Sequence, residues 1–238
     1  YTSASDLFAE SFREGEGNEA LSGYLWSELR RGHYPVLTSA LDSIILRDDH
    51  PARYLPLFLP IGDAFWAEGK NEQAEHLYGR LVLADLSEGL TEAAEIRLQA
   101  IRDPRNWASF LHYFFFDGSD TARASLLDTL ITASPGSWIP SYLAGRLALR
   151  LGRYHEATGY LQSLEPGIMG PYIESLRLQS IGKALFRQHR FQEARTHFWT
   201  SLNERYTAQE LHDVSDWLDR CEWMEHHVQR SDPADPHR

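Results

Sequence analysis

Four basic residues are spaced so that they can share one chemistry. Arg146 and Arg150 lie four apart, and so do Lys183 and Arg187, one helical turn on a single face. Cations placed this way can grip carboxylates through charge-assisted hydrogen bonds, which are often bidentate when arginine is the donor. Two readings stay open: a carboxylate-recognising row, or solvated surface cations paired with neighbouring Glu or Asp. The other candidates for chemistry fail on spacing. His155-Glu156 has no second histidine four residues on, so the His-Glu-x-x-His zinc motif does not form. His212 and Asp216 share a helix face, with Cys221, His226 and His227 following. A metal site needs three or four converging ligands, so a polar helix surface is the expected reading there. Gly182-Lys183 runs into Ala184 with no glycine at phosphate-loop spacing before it, and no Gly-x-Ser-x-Gly elbow occurs. No spacing selects two of the carboxylates as an acid and a base. Cys221 sits on an apolar stripe and reads as a small core residue. No catalytic residue, metal or cofactor is expected.

Composition narrows the function further. The chain has 238 residues, 42% of them hydrophobic, which is ample for a core. Its net charge of −11 disfavours nucleic acid and anionic membrane as partners. No apolar run approaches the length of a membrane span. One cysteine rules out an internal disulfide and leaves the compartment open. The start at Tyr1 rather than Met is expected of a piece of a longer protein, or of a chain whose leader has been removed.

The elements that must position the four cations are helices. Helical periodicity dominates, and roughly thirteen helices are expected. Breaks fall at Gly32, Asp48–Pro51, Gly69, Asp103-Pro104, Asp117-Gly118, Pro135-Gly136, Gly152, Pro166–Gly170 and His189. A cassette recurs at three of them: Gly69-Lys70-Asn71-Glu72-Gln73-Ala74, Gly152-Arg153-Tyr154-His155-Glu156-Ala157, and His189-Arg190-Phe191-Gln192-Glu193-Ala194. Each copy has another glycine seven residues upstream, at Gly62, Gly145 and Gly182. Two helices approach closely where both carry small side chains, so Gly62 is expected against Ala74, Gly145 against Ala157 and Gly182 against Ala194.

The period of about 34 residues, with this pattern of small and large side chains, resembles the tetratricopeptide repeat. In unit 55–88 the matching positions are Phe58, Ile61, Gly62, Phe65, Gly69, Ala74, Tyr78 and Leu81. In 138–171 they are Ala144, Gly145, Ala148, Gly152, Ala157, Leu161 and Leu164. In 175–208 they are Leu178, Ile181, Gly182, Leu185, Ala194 and Phe198. Units 18–51 and 104–137 fit the same frame, with an extra helix at 89–103 breaking the register. Arg123 departs from the pattern where unit 104–137 should carry a small alanine, and Pro135 is the one unit-closing proline. Residues 1–17 and 209–230 are expected to cap the array of 18–208, and 231–238 to form a tail. The fold class is therefore all-α: a helix-turn-helix repeat solenoid, similar to the right-handed superhelix of that family.

The resemblance implies a concave groove lined by the first helix of each unit. The positions it places there are Trp26, Leu59, Asp63, Trp66, Arg105, His112, Phe115, Tyr142, Arg146, Arg150, Gln179, Lys183, Phe186 and Arg187. It implies a non-catalytic scaffold that binds a protein or peptide partner, with acidic or C-terminal carboxylate groups meeting the four cations. Trp26, Leu59 and Trp66 would suit an apolar segment of the same ligand. The run Tyr113-Phe114-Phe115-Phe116 reads either as a helix buried on most sides or as aromatics exposed in the groove. The alternative function is a docking or spacer domain of a larger enzyme or assembly, self-associating as a homo-oligomer.

Overall fold

The computed structural model describes residues 18–33, 36, 37, 39, 55–84, 88–103, 107–114, 116–203 and 208–230. The expected segments at 1–17 and 231–238, and most of the second half of unit 18–51, lie outside the described residues. Among the described residues the protein is all-helical, with eleven α-helices and no strand. The chain divides into two compact parts, 1–107 and 108–238. The first holds α1 (Asn18–Arg31), a single 3-10 turn at Leu55–Leu57, α2 (Phe58–Ala67), α3 (Asn71–Ala84) and α4 (Glu88–Ile101). The second holds α5 (Trp107–Phe114), α6 (Asp120–Ala133), α7 (Ile139–Arg150), α8 (Tyr154–Gln162), α9 (Pro171–Arg187), α10 (Phe191–Ser201) and α11 (Ala208–Arg230).

Each cassette is one hydrogen-bonded turn that ends a helix and begins the next. Gly69, Gly152 and His189 all hold left-handed backbone, at φ 75°, 75° and 62°. That conformation lets the glycine N–H of Gly69 reach Trp66 O (2.9 Å) and the next N–H, of Lys70, reach Phe65 O (2.9 Å). Gly152 and Arg153 bond Leu149 O and Ala148 O in the same way, and His189 and Arg190 bond Phe186 O and Leu185 O. This is the Schellman end, which satisfies the last carbonyls of a helix. The basic residue then serves the following helix, because its carbonyl accepts from the cassette alanine: Ala74 N to Lys70 O, Ala157 N to Arg153 O, Ala194 N to Arg190 O. One residue thus closes one helix with its N–H and opens another with its C=O.

His189 does this without glycine's freedom. A side chain in left-handed backbone costs about 1–2 kcal/mol. His189→Gly is therefore expected to raise stability by about 1 kcal/mol in urea titration, while Gly152→Ala lowers it by a similar amount. No gain from His189→Gly would contradict the strain assigned to that turn.

The nearest neighbour of each upstream glycine is a large side chain. A β-carbon on Gly62 would stand 2.5 Å from Tyr78 Cε1, one on Gly145 2.5 Å from Leu161 Cγ, and one on Gly182 2.8 Å from Phe198 Cζ. Tyr78, Leu161 and Phe198 each lie one turn beyond the cassette alanine. The bare glycine Cα leaves space, and a large side chain fills it. The three cassette alanines are fully buried, and Ala157 packs in a cluster with Ala148 and Ala184. Ala157→Leu should overpack that cluster and cost roughly 1–3 kcal/mol, read as a lowered melting midpoint.

Neighbouring helices pack on one another in sequence within each part: α2 on α3 and α3 on α4, then α6 through α11 in order. Hydrogen bonds join residues 34 apart in both parts: Arg97 to Asp63, Arg146 to Ser180 and Gln188 to Tyr154. The first of these ties α4 to α2. In the second part, Arg123 takes the place of a small residue. Its guanidinium donates to Phe116 O (2.9 Å) and stands over the Tyr113 ring. Tyr113 itself packs against a cluster containing Leu127, Leu130, Ala144 and Leu147. Tyr113, Phe114 and Phe116 are half-buried, and Phe115 lies outside the described residues. At the end, Trp217 of α11 stacks on Phe198 and meets Phe186 edge-on, so α11 covers the apolar side of α9 and α10.

Candidate functional site

The fourteen positions expected to line a groove do not share one environment. Trp66 and Tyr142 are 0% exposed and offer no surface to a ligand. Gln179 is buried and donates to Ser175 Oγ (3.2 Å) inside α9. Asp63 is buried too, and its carboxylate is consumed within the first part. Oδ1 accepts from Tyr78 Oη (2.7 Å) and Arg97 Nε (2.6 Å), and Oδ2 accepts from Arg97 Nη2 (3.1 Å). Burial first, then the adjacent carboxylate, pushes the Tyr78 hydroxyl well above the ordinary phenol range, so it stays a donor. These four residues belong to the packing between helices, because each helix is covered by the next along the chain. Leu59 and Phe186 are half-buried, and Phe186 is wedged between Phe191 and Trp217. His112 is exposed. Arg105, Phe115 and the side chain of Trp26 lie outside the described residues.

The four cations split as well. Arg146 Nη1 donates to Ser180 Oγ (2.9 Å), and that hydroxyl donates on to Leu176 O (2.7 Å), tying α7 to α9. Arg150 pairs with Asp120 at 2.6 Å on the surface, as the reading of helix-surface cations anticipates. Lys183 is half-buried and makes contacts of its own. Arg187 is exposed at the last turn of α9 and makes no ion pair or hydrogen bond with another of the described residues.

Arg187 faces company that sequence reasoning left out of the site. With His189 it lines an open cleft of about 430 Å³, opposite Arg153, His155 and Glu156 of the preceding cassette. The spacing signal was present: all of these residues lie in two of the cassettes, except Arg187, which stands two residues before the third. Sequence reasoning also missed Arg97 and the buried pair Glu174–Arg177, whose guanidinium makes two bonds to the carboxylate and a third to Leu161 O (2.9 Å). Arg97 was within reach of the repeat interval, being 34 residues after Asp63.

Cys221 is fully buried, and burial followed by the nearby Glu225 carboxylate pushes its thiol up to about 11. A thiol so placed stays protonated and does not act as a nucleophile at neutral pH. His212 and Asp216 are exposed on α11, and among the described residues no three His, Cys, Asp or Glu side chains converge to hold a metal ion. Among the same residues no helix is long and apolar enough to cross a membrane. No family model, curated protein or solved structure matches this chain.

Proposed function

We propose that this chain is a non-catalytic interaction scaffold of tetratricopeptide-like helix pairs, which binds a peptide or protein partner. The supporting observation is the threefold construction of one turn. The same left-handed residue, the same pair of closing hydrogen bonds and the same alanine recur at Gly69, Gly152 and His189. Helix pairs built alike cannot bury both their faces alone, so they stack, and a stacked row presents a long surface suited to recognition. The surface that carries recognition is narrower than the family pattern implies. In the second part its available members are His112, Arg150 and Arg187, with Arg146, Lys183 and Phe186 half-buried.

The test is saturable binding of a purified partner, first identified by capture on the immobilised chain. Binding should weaken on charge reversal at Arg187 and at elevated salt. A captured partner that binds equally well to the charge-reversed chain would remove the electrostatic element. The absence of any saturable partner would remove the scaffold reading.

A docking role through self-association is supported by a separate observation. Trp199 on α10 and Trp223 on α11 are 59% and 57% exposed, unusual for the largest apolar side chain. Sedimentation equilibrium distinguishes the two roles: a concentration-dependent dimer abolished by Trp199→Glu supports docking, and a monomer at all concentrations excludes it.

A further inference from the structure

Of the four cations expected to meet carboxylates, Arg187 alone makes no ion pair or hydrogen bond with another of the described residues. It does not stand in a groove between helices. It sits on the rim formed by consecutive cassettes, where the turn of Arg187 and His189 faces the turn of Gly152–Glu156 across a cleft. Three features of that cleft favour a bound oxyanion. The first is charge: Arg153 and Arg187 oppose a single carboxylate, Glu156, which Arg153 holds loosely at 3.7 Å. His155 and His189 add an N–H donor each, since even a neutral imidazole carries one. The second is the backbone. The first turn of the nine-residue α8 lines the cleft, and its N-cap, Arg153, makes no side-chain capping bond. The N–H groups of Tyr154, His155 and Glu156 therefore lack helical acceptors. The third is rigidity. Gln188 crosses between the turns, donating from Nε2 to Tyr154 O (2.9 Å) and Thr158 Oγ1 (2.7 Å).

We propose that this rim cleft binds an acidic side chain of the partner peptide, a carboxylate or a phosphoryl group. Arg187 and Arg153 are the charged grips, and the first turn of α8 supplies backbone donors. The site rests on the scaffold reading and adds a second contact region to it, at the turns instead of along the helices. On a chain of net charge −11, attraction of an anion requires a local arrangement of this kind.

The experiment measures fluorescence anisotropy of labelled hexaglutamate, hexaserine and phosphoserine-containing hexaserine peptides, with inorganic phosphate as competitor. Saturable binding of an acidic peptide and none of hexaserine is expected. A preference between the two acidic peptides separates carboxylate from phosphoryl recognition, and competition by phosphate is expected in either case. Arg187→Gln and Arg153→Gln should each weaken binding by about tenfold or more. Arg190→Gln, the same charge change on the same turn outside the cleft, should leave it unchanged. All three side chains are exposed, so the variants should retain wild-type circular dichroism and melting. Undiminished binding by Arg187→Gln overturns the proposal, as does equal binding of hexaserine. Loss on Lys183→Gln with none on Arg187→Gln moves the contact to the helices, leaving the scaffold reading standing without the rim site. Failure of every acidic peptide to bind also overturns the rim site. The scaffold reading is then judged separately by its own purified partner.

Discussion

Arg97→Met is expected to lower the unfolding free energy of the first part by about 3–5 kcal/mol. The reason is what the substitution leaves behind. Asp63 is buried on α2, and the guanidinium of Arg97 on α4 makes two bonds to its carboxylate, at 2.6 and 3.1 Å. Methionine preserves most of the side-chain length and its packing but removes both donors. Tyr78 alone then faces the carboxylate, at 2.7 Å. An ionised carboxylate with one neutral donor in a dry site is costly, and it either takes up a proton or draws water into the helix interface. Arg97→Lys keeps the charge and loses the fork, so it should cost less than methionine. Tyr78→Phe removes one hydrogen bond to a charged group and should cost about 1.5–3 kcal/mol. The double variant Asp63→Leu with Arg97→Met removes both charges and should recover much of the loss. Guanidinium-chloride unfolding of the four variants checks the set. Equal stability of Arg97→Met and wild type would show that the pair is not closed to water.

The second large effect is expected at Phe198. Its ring is fully buried, lies against the bare Cα of Gly182 and stacks on Trp217 at 5.7 Å with 13° between the planes. Phe198→Ala should cost about 3–5 kcal/mol, from lost burial plus the cavity that remains. Gly182→Ala should also destabilise, since its β-carbon meets Phe198 Cζ at 2.8 Å. The informative experiment is the pair. Phe198→Ala removes the ring that a β-carbon on Gly182 would meet. Gly182→Ala should therefore cost less in a Phe198→Ala background than in the wild type, and thermal melts of the four-member cycle measure that coupling. Strict additivity would mean that the glycine and the ring do not share the space assigned to them.

These effects show where sequence reasoning reached and where it stopped. The cassettes were legible because they are local. A left-handed residue, two closing N–H groups and an alanine four residues after the basic position all act within one turn. The upstream glycines were legible as close approaches, yet their neighbours were not. Choosing between Ala74 and Tyr78 as the residue over Gly62 requires knowing the offset between two helices, and one helical turn of offset changes the answer.

The site shows the same division more sharply. Arg146, Arg150, Lys183 and Arg187 share one spacing in the sequence, and the protein treats them differently. Arg146 becomes a strut to Ser180, Arg150 is paired with Asp120, Lys183 is half-buried, and Arg187 makes no ion pair or hydrogen bond with another of the described residues. Trp66, Tyr142 and Asp63 were placed on a groove and lie inside the packing. The sequence by itself determined the all-helical class of the described residues and the turn chemistry, because hydrogen bonding within a turn and hydrophobic period are properties of contiguous residues. The tertiary structure decided which side chains still face water, because exposure is set by the neighbouring helix, whose contact residues lie about one repeat away along the chain.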